Sequence, residues 1–175
     1  MNITAWFISK YLYNAERVMV MSVQPARSLV KYLPLFQKQQ GRVALDFGSG
    51  NLRNSIFLHR LGYEVYAVDL PHNVKFQPMP KFKWITPGEL EDLHSKIDLA
   101  LCTFVLNLIS PQQRTSILDK IALTMKKGGY LLVETKKLSL FDLDALVIPR
   151  GFARVHNQTG RYTHIVLYQY NDATC

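Results

Sequence analysis

Residues 43–71 carry the pattern that most constrains the fold of this chain. A short apolar run ends at Asp46, the chain turns through Gly48 and Gly50, and an amphipathic segment follows. A second apolar run then ends at Asp69. The pattern predicts a strand, a glycine turn, a helix and a second strand, which together form the first half of a nucleotide-binding βαβ unit.

The rest of the chain continues this alternation of apolar and amphipathic segments. Strands are predicted at residues 43–47, 64–69, 82–86, 97–104 and 130–134, and a terminal hairpin at residues 152–157 and 163–170. The predicted fold class is therefore α/β: a doubly wound, mostly parallel, seven-stranded Rossmann-like sheet with one antiparallel strand and helices on both faces. Residues 1–40 are predicted to form an N-terminal helical extension or lid, and residues 41–175 one compact domain.

Proline, serine and glycine mark the predicted ends of the helices. One helix is predicted over residues 25–34, which both begin and end with proline. A capping box that begins at Ser110 marks the start of another helix. This second helix is predicted to end at the glycine pair of residues 128–129, with Lys126 and Lys127 at the negative end of its dipole.

The chain carries a positive net charge. Its 175 residues include 21 Lys and Arg against 13 Asp and Glu, which gives a formal net charge of +8. A basic surface favours nucleic acid, an anionic membrane or acidic proteins as partners. Because the basic residues are scattered, charge keeps nucleic acid among the alternatives without selecting it.

Cysteine and hydropathy patterns bear on the compartment. Cys102 and Cys175 form neither a disulfide framework nor a Cys-x-x-Cys pair, which indicates a reducing environment. No apolar run reaches the roughly 18 residues of a membrane span, and the N-terminus lacks the pattern of a signal peptide. We therefore expect a cytoplasmic protein without a membrane partner. The five histidines lack metal-ligand spacing, so no metal is expected.

The glycine turn and the second acid predict a ligand. In a doubly wound sheet, ligands bind at the carboxyl ends of the strands where the strand order reverses. Gly48 and Gly50 allow the backbone to approach a ligand that a Cβ would block. At the end of the second strand, the Asp69 carboxylate can accept hydrogen bonds from both hydroxyls of a ribose. Arg53 stands where the dinucleotide fingerprint needs a glycine, which argues against a nicotinamide dehydrogenase.

The chain resembles the class I S-adenosylmethionine-dependent methyltransferases over residues 42–136. The resemblance lies in Leu45-Asp46-Phe47-Gly48-Ser49-Gly50, in Asp69, in the predicted strand at residues 98–104 and in Lys127-Gly128-Gly129-Tyr130-Leu131-Leu132. Within that class, residues 50–55 and 61–65 are most similar to the small tellurite-resistance and thiopurine-type members. Residues 24–27 and 104–107 are similar to methyltransferases that accompany DNA-modification systems.

This resemblance implies S-adenosylmethionine as the cofactor and S-adenosylhomocysteine as its product. Asp46 would order the turn and hold the methionyl ammonium, and Asp69 would hold the ribose. Leu70 would pack on the adenine, and Cys102 would flank the methyl group. The cofactor-binding residues that the resemblance implies are Asp46, Gly48, Ser49, Gly50, Asn54, Asp69, Leu70, Glu89, Thr103 and Phe104. The family has a small residue where this chain has Leu52, which predicts a narrower amino-acid end of the pocket.

The catalytic residue and the methyl acceptor stay open. Methyl transfer from a sulfonium is a direct displacement, so alignment and exclusion of water matter more than any single base. The candidates for a catalytic residue are Asn107, His72 and Tyr11. The Asn- or Asp-Pro-Pro-aromatic tetrad of enzymes that methylate base amino groups is missing after the fourth strand.

Three functions follow from these patterns. A methyltransferase acting on a small molecule or metalloid acceptor comes first. The alternatives are a nucleic-acid methyltransferase that uses the basic face, and a catalytically idle cofactor-binding module that supports a partner.

Overall fold

A computed structural model describes residues 24–70 and 79–171 of the chain. Four helices and seven strands follow one another in these ranges. The helices are α1 (Arg27–Phe36), α2 (Arg53–Arg60), α3 (Pro111–Thr124) and α4 (Leu140–Val147), with short 3₁₀ helices at Pro87–Leu93 and Ile148–Arg150. The strands are β1 (Val43–Phe47), β2 (Glu64–Val68), β3 (Phe82–Ile85), β4 (Ile97–Thr103), β5 (Met125–Thr135), β6 (Phe152–Thr159) and β7 (His164–Tyr170).

The seven strands form one sheet in the order β3-β2-β1-β4-β5-β7-β6. Strands β1 to β5 are parallel to one another, whereas β7 is antiparallel to both β5 and β6. The predicted fold with one antiparallel strand is therefore confirmed. The chain progresses from β1 to β3 towards one edge and then returns to place β4 on the other side of β1, so the strand order reverses between β1 and β4.

Residues that alternate along the strands fill two hydrophobic clusters, one on each face of the sheet. In β1, Ala44 belongs to the cluster under α1 and α2, and Leu45 belongs to the cluster under α3 and α4. Both side chains are fully buried. Burial on both faces explains why the central strands read as nearly continuous apolar runs.

Two of the predicted helix ends are displaced in the structure. Helix α1 continues two residues beyond Pro34, because Phe36 is fully buried and packs its ring against Tyr130. The larger error concerns α3, which ends at Thr124, so Lys126 and Lys127 lie in β5 and do not face the end of a helix dipole.

A neighbouring loop explains the early end of α3. The backbone N–H of Ser95 donates to the carbonyl of Leu123 at 3.0 Å, and that of Lys96 donates to the carbonyl of Thr124 at 2.9 Å. These two bonds satisfy carbonyls that a glycine cap would otherwise satisfy. The chain is therefore extended from Met125 onwards.

Several predictions concern residues outside the described ranges. The N-terminal part of the proposed lid lies there, together with Tyr11, His72 and Cys175. Among the residues that the structure describes, no helix is long and apolar enough to cross a membrane.

Candidate functional site

The glycine turn lies at the carboxyl end of β1, beside the point where the strand order reverses. Gly48 has φ of 73° and Gly50 has φ of 52°, in the left-handed region that favours glycine. The N–H groups of Gly48 and Ser49 both donate to the carbonyl of Val68, at 2.8 and 3.0 Å. The turn is thus attached to the end of β2. A Cβ on Gly48 would lie 2.2 Å from Cγ2 of Val105, so the segment after β4 packs directly on the turn.

Asp69 lies directly beside this turn. Its Oδ2 accepts a hydrogen bond from the backbone N–H of Gly50 at 2.6 Å, and its Oδ1 accepts one from the N–H of Leu70 at 2.7 Å. The two bonds fix the orientation of the carboxylate at the carboxyl end of β2. The structure therefore brings together the glycine turn and Asp69, which the sequence predicted to bind one ligand.

Asp46 is buried beneath the turn. It is 1% exposed, and its Oδ2 accepts a hydrogen bond from the Ser55 hydroxyl at 2.6 Å. Burial raises the pKa of Asp46 to about 6, although the hydrogen bonds from Ser55 and the charge of Arg53 oppose the shift. Its Oδ1 has no hydrogen-bond partner among the described residues. A buried carboxylate oxygen without a donor is costly, and a bound cation would compensate it.

Two other predicted site residues line the same end of the sheet. The hydroxyl of Ser49 is buried and has no hydrogen-bond partner within the described part of the chain. Asn54 is 3% exposed, and both ends of its amide contact the protein. Its Oδ1 accepts from the N–H of Ala26 at 2.8 Å, and its Nδ2 donates to the Thr103 hydroxyl at 3.4 Å. Asn54 therefore joins the segment before α1 to the end of β4.

Leu52 adopts an unusual backbone conformation. It precedes α2 with φ of 63° and ψ of 13°, a left-handed conformation that is uncommon for leucine. Its side chain is 2% exposed and belongs to the hydrophobic cluster under α1 and α2. That burial compensates the strain of the backbone. Whether Leu52 also narrows the ligand pocket stays a prediction.

Leu70 and Glu89 lie near the ends of β2 and β3. Leu70 follows Asp69 and is 51% exposed. Glu89 is exposed, and its Oε2 accepts hydrogen bonds from the backbone N–H and the hydroxyl of Thr86, each at 2.7 Å. These bonds lower the pKa of Glu89 and close a capping box on the 3₁₀ helix at Pro87–Leu93. Glu89 thus has a structural contact that the sequence analysis did not include.

The end of β4 presents Thr103 and Phe104 at the same edge. Thr103 is half-buried, and Phe104 has φ of 61°. The N–H of Phe104 donates to the carbonyl of Glu134 in the neighbouring β5 at 2.6 Å. Cys102, one position earlier, is fully buried. Burial and the charge of nearby Asp46 raise the pKa of the Cys102 thiol to about 12, so this thiol stays neutral near pH 7.

Asn107 is the catalytic candidate that the structure describes. Its Oδ1 accepts from the Thr135 hydroxyl and from the N–H of Lys136, both at 3.4 Å. It therefore anchors the segment after β4 to the end of β5. Sequence reasoning missed Lys136, whose Nζ lies 5.5 Å from the ring centroid of Phe104. The signal was its position directly after a strand that ends at the site.

Comparison with known proteins gives a family-level match. The sequence matches the family model of a methyltransferase domain over residues 20–171. No curated protein matches the sequence significantly. Within the described part of the chain, no group of three or more histidine, cysteine or acidic side chains is arranged to hold a metal ion.

Solved structures share the fold at low sequence identity. A TehB-like SAM-dependent methyltransferase from Corynebacterium glutamicum has a TM-score of 0.71 at 15% identity, over 97% of this chain and 100% of that one. The 1,6-didemethyltoxoflavin-N1-methyltransferase of Burkholderia thailandensis, solved with 1,6-didemethyltoxoflavin and S-adenosylhomocysteine, has a TM-score of 0.69 at 17% identity, over 97% and 88%. Human N-acetylserotonin methyltransferase, in complex with SAM, has a TM-score of 0.63 at 17% identity, over 83% and 51%.

Proposed function

Because this chain belongs to the methyltransferase-domain family, we propose that it binds S-adenosylmethionine at the glycine turn and transfers the methyl group to a small-molecule acceptor. The observation that carries the proposal is the hydrogen bond that the Asp69 carboxylate accepts from the N–H of Gly50 at 2.6 Å. That bond places a fixed acceptor group beside a turn whose backbone a ligand can approach closely. Ribose recognition by a carboxylate needs this arrangement.

The residues around the turn each have a proposed role in holding the cofactor. Asp69 accepts hydrogen bonds from the ribose hydroxyls, and Leu70, which is 51% exposed, packs on the adenine. The unpartnered Oδ1 of Asp46 fits the methionyl ammonium. Gly48 turns the backbone with φ of 73°, and Gly50, where an added Cβ would meet no described heavy atom within 4 Å, leaves space for the methionyl part. Ser49 supplies a buried hydroxyl without a partner among the described residues.

The end of β4 has a proposed role in positioning the acceptor. The bound cofactor supplies an electrophilic methyl group on a sulfonium. Thr103 and Phe104 lie where they can flank that group, and Asn54 fixes the Thr103 hydroxyl through its amide Nδ2 at 3.4 Å. These residues align the acceptor and exclude water, and no described side chain is needed as a general base for an acceptor that is already deprotonated.

The small-molecule assignment rests on the elements present in the described residues and on proteins of similar structure. The methyltransferase fold occupies the described residues without an inserted recognition module. Two structural neighbours are methyltransferases named for small molecules, 1,6-didemethyltoxoflavin and N-acetylserotonin. A small metalloid anion belongs to the same proposal. Nucleic acid is the second candidate, which the net charge of +8 favours.

Incorporation of a labelled methyl group from S-adenosylmethionine separates these candidates. The purified protein is incubated with a panel of small thiols, phenols, amines and metalloid oxyanions, and in parallel with duplex and single-stranded nucleic acid. Label on a small acceptor supports the proposal. Label on nucleic acid alone would replace it with the second candidate. Cofactor binding without transfer to any acceptor would favour a catalytically idle module.

A further inference from the structure

Phe104 is held in a strained conformation at the end of β4. A left-handed backbone is unfavourable for a non-glycine residue, and a bulky side chain is rare there. The φ of 61° is maintained by the short bond from the Phe104 N–H to the Glu134 carbonyl. Backbone strain of this kind is concentrated at ligand sites, where the surrounding structure fixes a side chain in an otherwise unfavourable direction. Phe104 thus follows β4 at the carboxyl edge of the sheet.

Lys136 places a positive charge over this ring. Its Nζ lies 5.5 Å from the ring centroid, within the range of a cation–π contact. The N–H of Lys136 donates to Asn107 Oδ1 at 3.4 Å. The single hydrogen of the Thr135 hydroxyl is shared between the Lys136 carbonyl at 3.1 Å and Asn107 Oδ1 at 3.4 Å. Its side chain is exposed and forms no ion pair with a carboxylate of the described residues. The ammonium therefore lies beside the Phe104 ring without an ion-pair partner among the described residues.

The sheet brings this ammonium to the edge that carries the glycine turn. Thr103 of β4 pairs with Glu134 of β5, so Phe104 and Lys136 follow at the same edge. The next residue, Val105, packs on Gly48, where an added Cβ would lie 2.2 Å from its Cγ2. The Phe104–Lys136 pair is therefore one residue away from the segment that touches the turn. It borders the place proposed for the methyl group.

Nearby carboxylates are engaged by other groups. Oε2 of Glu134 accepts a hydrogen bond from the Ser28 hydroxyl at 2.8 Å. Oδ2 of Asp142 accepts from the backbone N–H and the hydroxyl of Ser139 in the capping box of α4. Lys137, next along the chain, adds a second exposed positive charge. Lys136 and Lys137 thus present two adjacent positive charges that form no ion pair with a described carboxylate.

We propose that Lys136 selects acceptors that carry a negative charge. The enzyme then methylates a small molecule bearing a carboxylate, phenolate or other oxyanion. This inference rests on the proposed function. The anion pairs with the Lys136 ammonium while the acceptor packs against Phe104. The accepting atom reacts in its deprotonated form, its proton having been released to solvent, and its lone pair forms the new bond to the methyl carbon. The carbon–sulfur bond of the sulfonium breaks, and its electron pair stays on sulfur as S-adenosylhomocysteine.

The test compares two probes of similar size, 2-mercaptobenzoate and 2-mercaptobenzamide, in which an anionic carboxylate is replaced by a neutral carboxamide. Their binding to the full chain saturated with S-adenosylhomocysteine is measured by calorimetry, and S-methylation from S-adenosylmethionine by mass spectrometry. The unmodified protein should bind and methylate the carboxylate in preference. Lys136→Met should weaken binding of the carboxylate about tenfold, as expected for the loss of a charged hydrogen bond in a partly exposed site. Binding of the amide and of S-adenosylhomocysteine should stay unchanged.

Lys127→Met is the matched control, because it removes an exposed lysine at the opposite end of β5. It should leave both probes unaffected. Three results would overturn the inference in a protein that still binds S-adenosylhomocysteine. They are equal binding of the two probes, binding of neither probe, and the same response in both lysine variants. If S-adenosylhomocysteine itself fails to bind, the methyltransferase proposal falls, and the inference falls with it.

Discussion

Substitution of Gly48 by alanine tests the geometry of the turn. Two separate penalties are expected. The first comes from φ of 73°, because a left-handed backbone costs about 1–2 kcal/mol once a Cβ is present. The second comes from the new Cβ, which would lie 2.2 Å from Cγ2 of Val105 and force that segment to move. Overpacking of this kind costs about 1–3 kcal/mol. Gly48→Ala should therefore lower the free energy of unfolding by about 2–5 kcal/mol.

Two further variants separate these penalties. Gly50→Ala meets φ of 52° but no described heavy atom within 4 Å of the new Cβ, so only the backbone cost of about 1–2 kcal/mol should appear. Val105→Ala removes the clashing Cγ2 and leaves the Val105 Cβ at 3.5 Å from the new Cβ, an ordinary contact. The double variant Gly48→Ala/Val105→Ala should therefore be more stable than the sum of the single effects by about 1–3 kcal/mol.

Urea unfolding of the four proteins, followed by circular dichroism, measures these differences. The four are Gly48→Ala, Gly50→Ala, Val105→Ala and the double variant, each compared with the unmodified chain. Equal losses for Gly48→Ala and Gly50→Ala, together with additive effects in the double variant, would show that Val105 does not pack on the turn. The proposed position of the segment after β4 would then be wrong.

Two other predictions concern buried acids. Because its pKa of about 6 lies above its ordinary value, Asp46 is increasingly protonated below pH 6, so affinity for S-adenosylhomocysteine should fall by up to about tenfold per pH unit there. Calorimetry across pH 5–8 should show no such fall in Asp46→Asn. Asp98, 7% exposed, accepts from Val43 N–H at 2.9 Å and pairs with Lys126 at 3.1 Å. Asp98→Ala should destabilise the fold by about 2–4 kcal/mol in urea without changing that affinity, whereas Lys126→Met should cost under about 1 kcal/mol.

The sheet could be predicted because hydrophobic pattern and turn chemistry agree along most of the chain. Apolar runs at β1, β2 and β4 identify strands buried on both faces, and the capping box at Ser110 identifies the start of α3. The end of α3 could not be predicted, since it depends on the N–H groups of Ser95 and Lys96 from a distant loop. Non-local caps of this kind leave no pattern near the helix end itself.

The relative positions of the candidate site residues could be predicted where the spacing of residues along the sequence determines them. The contact between Asp69 and Gly50 follows from a glycine turn and an acid at the ends of adjacent parallel strands. By contrast, the sequence does not reveal that Glu89 caps a 3₁₀ helix or that Phe104 is left-handed, because both depend on contacts made after folding. The class I methyltransferase family is confirmed, whereas the similarity to tellurite-resistance and DNA-modification members is not.

The central claim is that the glycine turn and Asp69 hold S-adenosylmethionine. Isothermal titration calorimetry of the protein with S-adenosylmethionine and S-adenosylhomocysteine tests it most directly. Both should bind, and Asp69→Ala should weaken binding by about 1.5–3 kcal/mol because charge-assisted hydrogen bonds to the ribose are lost. Retention of the folded state in that variant is checked by circular dichroism. Absence of binding to the unmodified protein, or unchanged affinity in Asp69→Ala, would contradict the claim.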